Sequence, residues 1–323
     1  MGEWVFGALI NLIGSIAINF GTNLLKLGHN ERIKHSMMGN DEANRKMGLT
    51  HMIHFSAWRM GILVFFLGNC LNFVSFGYAA QSLLAALGSI QFVWNVAFSY
   101  ILFNRTVTIK IIIATFFIVL GNIFLVAFGN HQSIVYTPKE LAEKYNNITF
   151  IVYCTILALF VTFYHYMYRR GVLILSYCGH EPYWKLLIPF SFAVVSGVIG
   201  SFSVLFAKSI SNLLRLAITS GYALHSFFLY TIVFLFLFTA AFWMIRLNEG
   251  LALFDAILIV PMFQIVWTFF SICTGFVYFQ EYKVLGSLRL NMFVFGMVSV
   301  FIGIYLLASD EQKVLRVKDC DEV

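Results

Sequence analysis

FGYAAQSLLAALGSIQFVWN at residues 76–95 and EGLALFDAILIVPMFQIVWT at residues 249–268 read as copies of one another. Gly77 falls on Gly250, Ala79 on Ala252, Gln91 on Gln264, Val93 on Val266 and Trp94 on Trp267. Flanking elements follow in the same order: Gly14-Ser15 with Phe20 matches Gly200-Ser201 with Phe206, and Gly121 matches Gly303. An internally repeated, almost wholly apolar chain is the pattern of many secondary transporters.

Composition fixes the class. With 60% hydrophobic residues, 36 Phe and 11% charged residues, the chain departs far from the roughly 25% charge of soluble domains. Nine apolar stretches, with cores at 4–25, 58–79, 83–103, 109–128, 149–168, 186–207, 226–246, 251–278 and 289–308, have about the 20 residues needed to cross about 30 Å of hydrocarbon. They are uniformly apolar and lack the alternation of barrel strands, so the expected fold class is all-α: a polytopic membrane protein of nine helices. The first span has no basic region before it and is too long for a signal peptide, so it reads as a retained helix.

Lys and Arg set the orientation. Six of the 21, namely Lys139, Lys144, Lys208, Arg215, Lys283 and Arg289, fall on one side, and the other fifteen fall on the side of the C-terminal tail. The N-terminus is therefore expected outside and the C-terminus in the cytoplasm. The net charge of +6 follows from this asymmetry and calls for no nucleic acid. Asn147-Ile148-Thr149 is a sequon on the expected outer side, close to the start of span 5. Five cysteines suggest neither a disulfide framework nor a zinc site.

One membrane domain is expected over residues 1–309, with a first half at 4–128, a connecting span at 149–168, a second half at 186–308 and a cytoplasmic tail at 310–323. The odd helix between two four-helix units turns the second unit upside down, giving an inverted repeat whose halves can rock around a site near the midplane. The loop 26–56 on the cytoplasmic side corresponds to 208–226 on the outer side. Pro261 is expected to interrupt span 8, and the alignment sets Gly88 opposite it in span 3. Either residue weakens a helix and can free carbonyl oxygens; the alternative is that both simply allow close packing.

Asp255 is the carboxylate placed inside a span, where an isolated acid costs about 2.5–3.5 kcal/mol and so seeks a cavity, partner or ion. Glu3, Glu249 and Glu281 lie at or near span ends, and no Lys or Arg falls deep enough to pair with Asp255. Amides surround it in sequence terms. Asn19 and Asn23 share a face of span 1, Asn69 and Asn72 of span 2, and Gln91 and Asn95 of span 3, while Gln264 lies in span 8 and Asn122 in span 4. Such amides are either oxygen ligands or bonds between helices. One acid with amide oxygens, and no thiol or histidine cluster, suits a hard divalent cation such as Mg2+, which keeps its waters and needs one or two carboxylates. The expected metal-contacting set is Asp255, Asn19, Asn23, Asn69, Asn72, Gln91, Asn95 and Gln264. Asp255 and Gln264 point in nearly opposite directions on an ideal helix, so they meet only if Pro261 redirects one of them.

Leu71-Asn72-Phe73 through Ala79, the run from Leu83 to Asn104-Arg105, Gly200-Ser201 through Lys208 with Leu213-Leu214-Arg215, and Phe254-Asp255 followed by Pro261 resemble the NIPA family of probable magnesium transporters, within the drug/metabolite transporter superfamily. Asn19-Phe20-Gly21-Thr22-Asn23 and Leu67-Gly68-Asn69-Cys70-Leu71-Asn72 resemble its plant-like branch. The chain departs from the family's pattern at Ala85-Ala86-Leu87-Gly88 and at Asn104-Arg105. The resemblance implies magnesium movement at the plasma membrane or early endosome, with Mg2+ as substrate, the lipid bilayer as partner and no cofactor. A divalent cation gains about 4.6 kcal/mol on entering an interior 100 mV negative, so uniport suffices energetically. The competing readings are a carrier of a small organic solute and a non-transporting scaffold or trafficking protein. No nucleophile, base and orienting group recur at useful spacing, so the chain is not read as an enzyme.

Overall fold

The computed structural model describes residues 2–38, 56–103, 108–131, 134–178, 182–221, 227–254, 256–283 and 285–321, and they form helices joined by turns, with no strand among them. In chain order these are α1 (Glu3–Met38), α2 (Ser56–Ser75), α3 (Gln81–Leu87), α4 (Ile90–Phe103), α5 (Ile109–Phe128), α6 (Pro138–Tyr145), α7 (Ile148–Cys178), α8 (Pro182–Ser220), α9 (Phe227–Leu253), α10 (Ala256–Tyr278), a 3-10 turn (Glu281–Lys283) and α11 (Ser287–Asp321). Among the described residues eight stretches are long and apolar enough to cross a bilayer, and the shorter apolar stretch Met262–Tyr278 stands where span 8 was expected. The chain is a polytopic all-α membrane protein.

Burial ranks the helices. In α8, 78% of the most apolar window is buried, against 11% in α2, α7 and α9. α8 is the central post, packed on α7, α9 and α10, while outward faces carry Phe66, Ile101, Phe116, Leu159 and Phe234. Such side chains are at home in hydrocarbon. α1 continues to Met38, well beyond the span end expected at 25, and α11 continues past 308 to Asp321.

Two seams hold helices at backbone contact. Gly7, Gly14, Gly21 and Gly28 recur every seven residues along α1, and Gly61 and Gly68 do so along the antiparallel α2. A Cβ on Gly21 would stand 2.8 Å from the Gly61 oxygen and 2.6 Å from the Phe65 nitrogen, and one on Gly68 would stand 2.8 Å from the Gly14 oxygen. The second seam joins α5 to α11: a Cβ on Gly121 would lie 2.6 Å from the Gly296 oxygen, and one on Gly303 would lie 2.7 Å from the Ala114 oxygen. Laying 121 on 303 lays 114 on 296, so these two contacts exchange under the alignment that pairs Gly121 with Gly303. Small residues permit this approach, and dispersion replaces the hydrophobic drive that lipid removes.

Span 3 breaks at Gly88-Ser89. There the ladder tightens to Ser89 N–H donating to the Ala86 oxygen (3.1 Å) and Gln91 N–H to the Gly88 oxygen (3.2 Å). The Ser89 hydroxyl accepts from Asn122 Nδ2 at 3.0 Å, so α5 braces the break. The expected partner break at Pro261 is not seen. α10 runs unbroken through Pro261, and the gap between Leu253 and Ala256 is the connection from α9 to α10. The missing Pro261 N–H deprives the Ile257 carbonyl of its i+4 partner, yet α10 continues past it.

Gly121→Val should destabilise the folded protein by about 2–3 kcal/mol, because a branched side chain cannot share space with the Gly296 backbone. A Cβ on Gly286 meets open space, so Gly286→Ala should stay within about 0.5 kcal/mol of the parent. Unfolding midpoints in detergent compare the two, and equal midpoints would contradict the close seam.

Candidate functional site

A polar stripe climbs α1. Asn11, Ser15, Asn19 and Asn23 recur every four residues and all are buried. Four residues advance a helix by about 40° beyond a full turn, so the stripe turns slowly. At its start Asn11 Nδ2 donates to Ser75 Oγ of α2 (3.3 Å), and at its end Asn23 Nδ2 donates to Asn95 Oδ1 of α4 (3.3 Å). Asn19 and Asn23 also tie Nδ2 to the carbonyl four residues back, Ser15 and Asn19, each at 2.9 Å. This spends one N–H of each amide on the helix itself, and Asn23 gives its other to Asn95. Asn11 Oδ1, Ser15 Oγ and Asn72 Oδ1 are buried without a hydrogen-bond partner. A Cβ on Gly14 would meet Asn72 Oδ1, so that oxygen lies against the α1 backbone.

The remaining expected residues are distributed as follows. Asn23 and Asn95 touch, Asn95 itself being exposed, and Asn19 sits one turn from them along the stripe. Asn69 is exposed and bonds the Phe65 carbonyl of its own helix at 2.8 Å, away from its supposed companion Asn72. Gln91 is half-buried on α4, and Gln264 bonds Thr268 of its own helix at 3.3 Å. Asp255 lies outside the described residues. Among the described residues no three His, Cys, Asp or Glu side chains gather. Asn147 Oδ1 accepts the Thr149 N–H at 3.0 Å and so caps α7.

A second polar centre was not anticipated. Glu281, read from sequence as a span-end residue, is 3% exposed. Its Oε1 accepts the Gln81 N–H at 3.1 Å, its Oε2 accepts the Ser82 hydroxyl, and Lys208 Nζ lies 3.5 Å from Oε1. Ala80, the N-cap of α3, supplies no side-chain cap, so a carboxylate more than 200 positions away does that work. Lys208 also stands 4.2 Å above the Phe279 ring, a cation–π contact. Asn130, Tyr136, Lys208, Asn212 and Glu281 line a pocket here. Asn212 clamps the Tyr136 backbone through both amide ends, at 3.2 and 2.8 Å. Burial, then the Glu281 and Glu140 charges, push the Tyr136 phenol up to about 12, so it stays neutral at physiological pH. One signal could have found this centre: the candidate membrane stretch of α8, Leu187–Ser220, runs 34 residues, about 51 Å, so its last turns with Lys208 and Arg215 reach beyond the hydrocarbon core.

The sequence matches the family model for the magnesium transporter NIPA over residues 3–313. It is similar to the probable magnesium transporter NIPA8 of Arabidopsis thaliana, 65% identical over 321 residues, covering 99% of this chain and 72% of that protein. Similarity extends to NIPA-like protein 2 of Homo sapiens, 20% identical over 320 residues (97% of this chain, 77% of that protein), and to a probable magnesium transporter of Candida albicans, 20% identical over 254 residues (77% and 65%). No solved structure matches.

Lys208→Met leaves Glu281 buried without its cation and should destabilise the protein by about 3 kcal/mol. Adding Glu281→Gln should recover part of that loss. A double-mutant cycle read from unfolding midpoints checks this, and strictly additive losses would show that the two charges do not interact.

Proposed function

This chain belongs to the magnesium transporter NIPA family, and on that premise we propose that it carries Mg2+ across the membrane into the cytoplasm, driven by the membrane potential. The observation that carries this reading is the set of unpartnered buried oxygens, Asn11 Oδ1, Ser15 Oγ and Asn72 Oδ1, at the contact of α1 with α2. Buried oxygens normally find donors. Mg2+ gives up its water shell reluctantly and binds through few direct ligands. The waters of hydrated Mg2+ are donors, and a stripe of amide and hydroxyl oxygens accepts them without stripping the ion. Asn19, Asn23 and Asn95 extend the stripe, and Asp255 supplies the carboxylate from its place in the sequence between α9 and α10. In this reading Asn69 contributes least, since it is exposed and bound to its own helix.

The repeat supports a carrier made of two inverted halves, residues 4–128 and 186–308, with 149–168 between them and the oxygen stripe as the first half's share of the path. The sites of such carriers lie near the midplane of the repeat. A divalent ion moved across 100 mV gains about 4.6 kcal/mol, equivalent to a concentration ratio above about a thousand, so no second ion is required. The same mechanism extends to other hard divalent cations. We place the protein at the plasma membrane or early endosome, with its N-terminus outside.

Purified protein in liposomes containing a magnesium-sensitive dye, held at a negative interior potential, should report Mg2+ entry. Asn11→Leu and Asp255→Asn should each slow entry at least about tenfold, and the size-exclusion profile should remain that of the parent; a lost polar ligand of a few kcal/mol has that effect. Entry no faster than in protein-free liposomes would sink the transport reading, and parental rates in both variants would sink the assigned path.

A further inference from the structure

Polar ties between the two halves gather at the end of the bundle that carries Glu3. Glu281, which follows α10 in the second half, accepts from Gln81 and Ser82 at the start of α3 in the first. Arg215 of α8 donates to the Gly77 carbonyl at 2.8 Å, pairs with Glu3 at 2.7 Å and stands 4.5 Å from the centre of the Tyr78 ring. Ser211 of α8 donates to the Val74 carbonyl at 3.4 Å. Asn212 donates to the Tyr136 carbonyl at 2.8 Å. Over that end lies α6, with Leu141 fully buried and its carbonyl accepting from Tyr278 at 2.7 Å.

We infer that Glu281 with Ser82 and Gln81, and Arg215 with Gly77 and Glu3, form the closed gate at this end of the transport path, which must part for Mg2+ to pass. The inference rests on the transporter reading and names the contacts that the transport cycle breaks. Three features suit them to breaking. Glu281 and Lys208 both belong to the second half, so when the halves separate the charge pair travels together and no bare carboxylate is left in the interior. Glu3 is more than half exposed, so water can take its place on Arg215 as soon as the contact loosens. On the other side of the gate, α3 is one short helix set off from α4 by the Gly88-Ser89 break, so it can tilt without bending a full span. The ties are hydrogen bonds and ion pairs, which water replaces in kind, whereas the glycine seam between α5 and α11 offers water nothing to bond.

Gly77 and Ser211 allow a test that leaves the charged residues in place. A Cβ on Gly77 would lie 3.1 Å from Ser211 Oγ, a spacing compatible with a disulfide. Oxidised Gly77→Cys/Ser211→Cys protein in liposomes should lose at least about tenfold of its Mg2+ entry and regain it with dithiothreitol, while each single variant is indifferent to both treatments. Undiminished entry in fully cross-linked protein would overturn the gate. A second readout needs no transported ion. The Ser211→Cys thiol, corrected for labelling of the parent's own cysteines, should react with a membrane-impermeant maleimide several-fold faster when combined with Glu281→Ala. The same should hold with Ser82→Ala, which keeps the Lys208 pair intact. If neither changes the labelling rate, the gate is wrong even where Mg2+ entry is normal. If labelling accelerates but reduced protein moves no Mg2+, the gate stands and the ion assignment falls.

Discussion

Backbone pressed against backbone is the contact on which the rest of this molecule depends. In lipid an apolar side chain gains nothing by leaving its surroundings, so helices associate through dispersion and the few hydrogen bonds that can cross between them. Gly14 against Gly68, Gly21 against Gly61, and Gly121 against Gly296 bring the helix backbones close enough for that weak force to accumulate along several turns. The close approach also decides where polar groups can go. With the glycine face of α1 taken by α2, the stripe of Asn11, Ser15, Asn19 and Asn23 is left to turn from α2 toward α4, inside the bundle and away from lipid.

Many polar side chains on these helices, buried or exposed, share one pattern of donor use. Asn19, Asn23, Asn69 and Asn122 each give Nδ2 to the carbonyl one turn back. Serines at 196 and 209 and threonines at 155, 162 and 239 do the same with their hydroxyl protons. An amide so held keeps its oxygen as an acceptor for a neighbouring helix or for water. Asn11 Oδ1, Ser15 Oγ and Asn72 Oδ1 are left without donors, and in the proposed function the waters of a hydrated cation supply them. The Glu281 centre solves a different problem. A carboxylate there needs donors, and it receives a backbone N–H and a hydroxyl from the start of α3 and an ammonium from α8.

Much of this was legible in the sequence because lipid leaves few alternatives. Uniformly apolar stretches of 20 residues can only be helices, so the spans and the all-α class followed directly. The break at Gly88 was legible too. Its supposed twin at Pro261 was misjudged, because α10 runs through that proline without interruption. Amide pairs on one helical face were a weaker guide. Asn19 and Asn23 turn inward, whereas Asn69, three residues from Asn72, ends up exposed, since spacing defines a face without saying what that face meets. Glu281 was passed over because hydropathy places it beyond the end of span 8. It becomes interior only because α8 is longer than the bilayer requires and carries Lys208 to meet it. The glycine heptads were not read from the sequence, because a bare spacing of seven means nothing until the opposing helix is known.

The seam between α5 and α11 joins one helix of each half, and the two contacts within it exchange when 121 is superposed on 303. A joint made of interlocked backbones resists sliding, since any shift along its length would drive a neighbouring side chain into the space only glycine leaves open. It resists twisting far less. In the proposed carrier the pair would serve as the spine of a book: the covers swing open at either edge while the binding stays sewn, and the leverage of each swing is set by the distance of Glu281 from that line.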